Sequence, residues 1–135
     1  MYTFEYANPS SLDEAVAAVA GGGQALAGGQ TLLATMKQRL AAPEKLIDLG
    51  KISGLSGIKK DGNTVVIGAM TTHMDVANSE VVKANIPALA SLAGHIGDRQ
   101  VRARGTLGGS VANNDPAACY PSAVLALNAS VHTNK

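Results

Sequence analysis

Two runs of the 135-residue sequence, Gly28-Gly29-Gln30-Thr31 and Thr106-Leu107-Gly108-Gly109-Ser110, set paired glycines beside hydroxyl side chains. Such runs can hold an anion, because the first amides of a helix have no acceptor within it and the helix dipole adds partial positive charge. Glycine lets a ligand approach the main chain where a side chain would stand off, and a hydroxyl adds a donor. Each charge-assisted hydrogen bond contributes about 1.5–3 kcal/mol. A diphosphate or a polyol chain suits this chemistry. One glycine pair after a strand is more often a plain tight turn, whereas two in so short a chain are harder to dismiss. Neither is a G-x-G-x-x-G fingerprint and no Gly-Lys-Ser/Thr follows, so P-loop and Rossmann sites are set aside.

Other reactive side chains offer less. His73, His95 and His132 stand alone, without H-x-x-x-H spacing or a neighbouring carboxylate pair, so no metal site is expected. His73 has the best claim to function among them, with no role assigned. A single Cys119 rules out an internal disulfide, a cysteine-based zinc site and an iron–sulfur cluster held by this chain alone. Arg99, Arg102 and Arg104, with Asp98 beside them, read as a solvated charged strand or loop; the sharper alternative is docking to a partner subunit or neutralising a diphosphate. Asp115-Pro116 sets a turn. No Ser, Cys or Lys is paired with a recognisable base, so covalent catalysis has no candidate.

The elements that must position the glycine runs follow from pattern. Met1 to Tyr6 alternates aromatic and polar residues as a strand does, and lacks the basic and apolar regions of a leader. Ser11-Leu12-Asp13-Glu14 is a capping box, and Gly21 to Gly23 close the helix it opens. Ala25 to Ala27 is a short buried strand, and a helix through Leu32, Leu33, Met36 and Leu40 runs to Pro43. Lys45 to Leu49 is a third strand. Asp61-Gly62 marks a hairpin between Ile58 and Thr64–Ile67. Helical turns are expected at 72–78 and 80–83, helices at 88–93 (opened by Pro87) and 121–127, and a strand at 130–133. We place a subdomain boundary at about Leu55, giving units 1–55 and 56–135.

Composition limits the partners. Formal net charge is +1, from 11 Lys and Arg against 10 Asp and Glu, and no basic run occurs, so nucleic acid is not expected. The few aromatics, Tyr2, Phe4, Tyr6 and Tyr120, offer no platform for stacking bases. Residues 15–36 carry no charge, but Gly21 to Gly23 would interrupt a helix there, so no transmembrane segment is expected and the chain reads as cytoplasmic.

Four ordered blocks carry a family resemblance: Ala27-Gly28-Gly29-Gln30-Thr31-Leu32-Leu33; Ile67-Gly68-Ala69-Met70-Thr71-Thr72-His73; Gln100 through Ser110; and Asn114-Asp115-Pro116-Ala117-Ala118. Together they resemble the FAD-binding medium subunit of molybdenum hydroxylases, the aerobic carbon monoxide dehydrogenase and xanthine dehydrogenase family, over about the first half of that subunit. The resemblance implies an α+β FAD-binding domain of the PCMH/vanillyl-alcohol-oxidase type, with an N-terminal βαβ subdomain and the first part of a second mixed subdomain, truncated at its C-terminus. It implies that Ala27, Gly28, Gly29, Gln30, Thr31 and Leu32 cradle the FAD diphosphate, and that Thr106, Gly109 and Ser110 bind its diphosphate and ribityl side. Cys119 stands where the family commonly has an acidic residue near the cofactor's polar chain, and a neutral thiol is a poor acceptor. The implied partners are a large subunit with the molybdenum cofactor and a small subunit with two [2Fe-2S] clusters; electrons would end on FAD and pass to an external acceptor. The alternatives are a fragment that folds without holding FAD, and a stand-alone flavoprotein oxidoreductase.

Overall fold

The computed structural model of the chain describes residues 1–134. Its first unit is a parallel sheet in the order β1-β3-β2, from β1 (Glu5–Ala7), β2 (Gln24–Leu26) and β3 (Lys45–Asp48). Successive residues of a strand face opposite sides, so the central strand buries Leu46 on one face and Ile47 on the other. Helix α1 (Leu12–Ala20) brings Ala15 to the Ile47 side, and α2 (Leu32–Lys37) brings Met36 against Leu46 and Leu26. Burying each large aliphatic side chain contributes about 1.5–3 kcal/mol. At Tyr6, the edge strand is tied to β3 by the hydroxyl, which donates to the Asp48 carboxylate.

The second unit opens with an antiparallel hairpin, β4 (Ile58–Asp61) and β5 (Thr64–Ile67). Six helices follow: α3 (His73–Asn78), α4 (Glu80–Asn85), α5 (Pro87–Gly94), α6 (Arg99–Arg104), α7 (Leu107–Asn113) and α8 (Cys119–Ala126). They enclose Val76, Val82, Leu89, Ala93 and Tyr120, with Ile58, Val65 and Ile67 of the hairpin packed against them. These helices are too short to persist alone. Side-chain caps start several of them: Thr72 accepts from the Asp75 amide, Ser79 from Val82, Asp98 from Val101 and Thr106 from Gly109. The α1 cap is Ser11, as its sequence implies, although Glu14 reaches back to the Ser10 amide instead of that of Ser11.

Several local expectations are corrected. Helix α2 stops at Lys37, not Leu40: Arg39 turns left-handed at φ +61°, and the Leu40 amide donates to Thr35 O in a Schellman closure. The hairpin loop is Gly62-Asn63, since Asp61 pairs with Thr64; Gly62 takes φ +56°. Arg99 to Arg104 is a helix, not a strand or loop, because Asp98 caps it. Residues 106–110 are likewise the cap and first turn of α7, not a free glycine turn. Residues 130–133 form no strand among the described residues. No helix of the described residues is long and apolar enough to cross a membrane.

Candidate cofactor-binding site

Strand β2 ends at Leu26 and α2 begins at Leu32; the loop between them is the first glycine run. Gly29 takes φ +74°, where a side chain would be strained. Gly28 has a different reason for its bareness: a Cβ there would collide with the carbonyl of Arg104 and with the Cα of Gly105. The glycine admits the protein's own backbone, so the loop abuts the end of α6. The expectation that both glycines serve ligand approach is corrected to that extent.

The amides of this loop are nevertheless available. Among the described residues, none of the backbone N–H groups of residues 28–32 donates to a protein acceptor, while Gln30 Nε2 donates to Gly28 O at 3.2 Å and the Leu33 amide to Gly29 O at 3.0 Å. A loop fixed by its carbonyls and open at its amides suits an anion.

The second run works differently. Leu107 N donates to Thr71 O at 3.0 Å, Gly108 N to Ala69 O at 2.8 Å, and Gly109 N to Thr106 Oγ1 at 3.1 Å. Gly108 is bare because a Cβ there would strike Ala69, and Gly109 because a Cβ there would strike Thr106 Oγ1. The first-turn amides of α7 are therefore consumed by the fold. What this wall offers is hydroxyls: Ser110 Oγ makes no hydrogen bond among the described residues, and Thr106 Oγ1, though accepting from Gly109, still has a proton to donate.

Both runs line one cleft of about 880 Å³, within the range of small-molecule and cofactor sites. Ala27, Gly28, Gly29, Gln30, Thr31, Leu32, Thr106, Gly109, Ser110 and Cys119 all lie on its walls. The cleft also holds residues that the sequence reading did not assign to the site: Thr35 on α2, Met70, His73, Gly105, Asn113 and Asp115. For His73 the one available signal was its place in the Thr71-Thr72-His73 block. Burial pushes its imidazole below the ordinary histidine range, and its ring lies 5.3 Å from that of Tyr120. Burial, and secondarily Cys119, push the Tyr120 phenol upward.

Other candidates lie elsewhere. Arg99, Arg102 and Arg104 do not line the cleft; Arg102 Nη1 donates to the carbonyls of Ile96 and Gly97 at 3.2 and 2.8 Å. His95 is engaged by Ser91 O through Nδ1 at 2.7 Å. Among the described residues, no cluster of His, Cys, Asp and Glu could hold a metal ion.

An open-amide loop facing a hydroxyl wall across a cofactor-sized cleft, on a mixed helix and strand scaffold without a Rossmann sheet, defines a nucleotide-cofactor domain. Residues 2–135 match the family model of the FAD binding domain in molybdopterin dehydrogenase, and the chain belongs to that family. FAD is the cofactor class of its domain. The chain is 47% identical over 129 residues to the carbon monoxide dehydrogenase medium chain of Hydrogenophaga pseudoflava, covering 93% of this chain and 45% of that one. It is 41% identical over 128 residues to the nicotine 6-hydroxylase medium subunit of Paenarthrobacter nicotinovorans, covering 93% and 45%. In the solved carbon monoxide dehydrogenase from Hydrogenophaga pseudoflava, lacking the Mo-pyranopterin moiety, the likeness reaches TM-score 0.91 at 47% identity, over 93% of this chain and 45% of that chain. Quinoline 2-oxidoreductase from Pseudomonas putida 86 gives TM-score 0.86 at 36% identity, over 89% and 43%. The chain thus spans less than half the length of these relatives.

Proposed function

We propose that this chain binds FAD as part of the flavin subunit of a molybdenum hydroxylase, an oxidoreductase complex of the cytoplasm. Its partners would be a molybdenum-cofactor large subunit and a [2Fe-2S] small subunit, with electrons received from the clusters and handed to an external acceptor. Bound FAD supplies the redox chemistry that the side chains of this chain lack. The observation that carries the reading is the run of unpaired amides at residues 28–32 on a cleft shared with Thr106 and Ser110.

The family resemblance assigns each residue a task, and the local chemistry is compatible with it. The amides of Gly28 to Leu32 hold the diphosphate, helped by the Thr31 hydroxyl. Thr106 and Ser110 donate from the opposite wall to the diphosphate and ribityl oxygens, and Gly109 keeps that wall thin. Cys119 borders the polar chain with a weak donor. The division at residues 55 and 56 leaves one wall on each side, so the cofactor bridges the sheet unit and the helical unit.

The test is direct. Purified protein should be yellow, and FAD at a hundred times its Kd should stabilise it by about 2.7 kcal/mol, read as a rise in Tm. Gly29→Val puts a branched side chain at φ +74° beside Leu33 and should abolish the rise. Colour and Tm both unchanged at saturating FAD would mean a chain that folds without its cofactor. Molybdenum and iron in stoichiometric amounts on co-purification from the native source would establish the complex; a lone flavoprotein would point to a stand-alone oxidoreductase instead.

A further inference from the structure

His73 is the first residue of α3, and its backbone amide donates to Gly105 O at 2.9 Å. The residue is only 5% exposed, yet it forms part of the cleft wall. Its ring makes no side-chain hydrogen bond. Nδ1 is sealed away from solvent without a partner, as is the neighbouring Tyr120 hydroxyl. Nε2 also lacks a hydrogen bond but is not sealed; it lies against Gly105, itself a cleft residue. A Cβ at position 105 would stand 2.6 Å from Nε2. Glycine at 105 therefore leaves this nitrogen uncovered, although its φ of −59° would suit other residues.

The position of the proton follows by elimination. A neutral imidazole carries one N–H and one bare nitrogen, and burial without a counter-charge keeps the ring neutral. Orphaned buried N–H groups are rarer in proteins than under-satisfied acceptors. The tautomer with the hydrogen on Nε2 leaves Nδ1 as the orphaned acceptor, the less costly arrangement, and sets the donor on the uncovered edge. A fixed, uncharged donor with no protein acceptor is thus presented to whatever fills the cavity.

We infer that His73 donates a hydrogen bond from Nε2 to an acceptor oxygen of the bound flavin nucleotide, adding a binding residue from α3 to the two glycine-run walls. This inference rests on the FAD reading above. The shared chemistry is an oxygen acceptor, which phosphate, ribityl hydroxyl and flavin carbonyl all provide; FMN and AMP, the two halves of FAD, tell which side carries it.

The experiment uses the 135-residue chain labelled with 15N-histidine. NMR should show Nδ1 unprotonated and Nε2 protonated in one histidine, absent from His73→Gln, and saturating FAD should shift that Nε2–H signal. FMN or AMP alone should reproduce the shift according to the half contacted. His73→Phe keeps a ring against Tyr120 but removes the donor, and should raise the FAD Kd about three- to tenfold. His73→Gln restores an N–H at similar reach and should stay within about threefold of the parent. Gly105→Ala sets a Cβ 2.6 Å from Nε2, so the imidazole must move off its place, and binding should weaken as in His73→Phe. FAD binding with an unmoved Nε2–H signal, or with equal affinity in His73→Phe and the parent, overturns this inference and leaves the FAD reading intact. No FAD binding by the parent overturns both.

Discussion

Cys119 and His73 share the cleft but differ in what they offer a ligand. Cys119 is exposed there, and a neutral thiol accepts hydrogen bonds poorly. Cys119→Asp should therefore tighten FAD binding about three- to tenfold if the polar chain passes it, measured by fluorescence titration of the flavin. His73 titrates against the fold. Its folded pKa lies below the unfolded value of 6.5, so the unfolded chain binds the extra proton first. The neutral ring's contribution is complete above about pH 6.5 and is lost as pH falls through the folded value. Tyr120 is the ring neighbour on α8; Asp75, on its own helix, accepts from the Thr72 hydroxyl. Tm should drop more steeply below pH 6.5 in the parent than in His73→Gln, by differential scanning calorimetry. The glycine pairs were legible in the sequence, but their reasons were only partly so. Nothing local to Gly28 announces that the Arg104 carbonyl will lie against it, because that contact joins distant parts of the chain.

At the scale of elements, the caps and turns that carry strong local signals were readable. Ser11, Gly21 to Gly23 and Pro87 each mark a boundary that the structure keeps. Helices α6 and α7 were not readable in the same way. Six or seven residues with internal glycines or alternating arginines give too short a period to distinguish from a loop, and tertiary packing decides. Asp98 was the overlooked cue. Asp98→Ala removes the bond to the Val101 amide and should cost about 0.5–2 kcal/mol by thermal denaturation. Because Arg104 and Gly105 at the far end of α6 abut Gly28, the same variant should also weaken FAD binding. In the sheet, Ile47→Ala empties the contact between β3 and α1 and should cost about 2–5 kcal/mol in urea unfolding.

For the whole molecule, the mixed α+β architecture follows from an early βαβ rhythm and a later succession of short helices, of which the residue pattern shows the first and, in the second, all but α6 and α7. The cleft itself was not visible, since it needs the loop after β2 and the start of α7 to meet. Family blocks supplied what periodicity could not. Two apolar side chains of the second unit are largely uncovered by the described residues: Leu125 is 82% exposed and Val131 67%. Leu125→Glu together with Val131→Glu should leave Tm nearly unchanged by differential scanning calorimetry, because neither side chain is buried.

The two walls of the cleft are unequally prepared. On the α7 side every first-turn amide is already tied to Ala69, Thr71 or Thr106, so that side is rigid before any ligand arrives. On the other side the amides of residues 28–32 await an acceptor. On the proposed reading, the ordering entropy of cofactor capture falls on a single short segment, and changes in amide exchange on loading should concentrate there while α7 stays as it was.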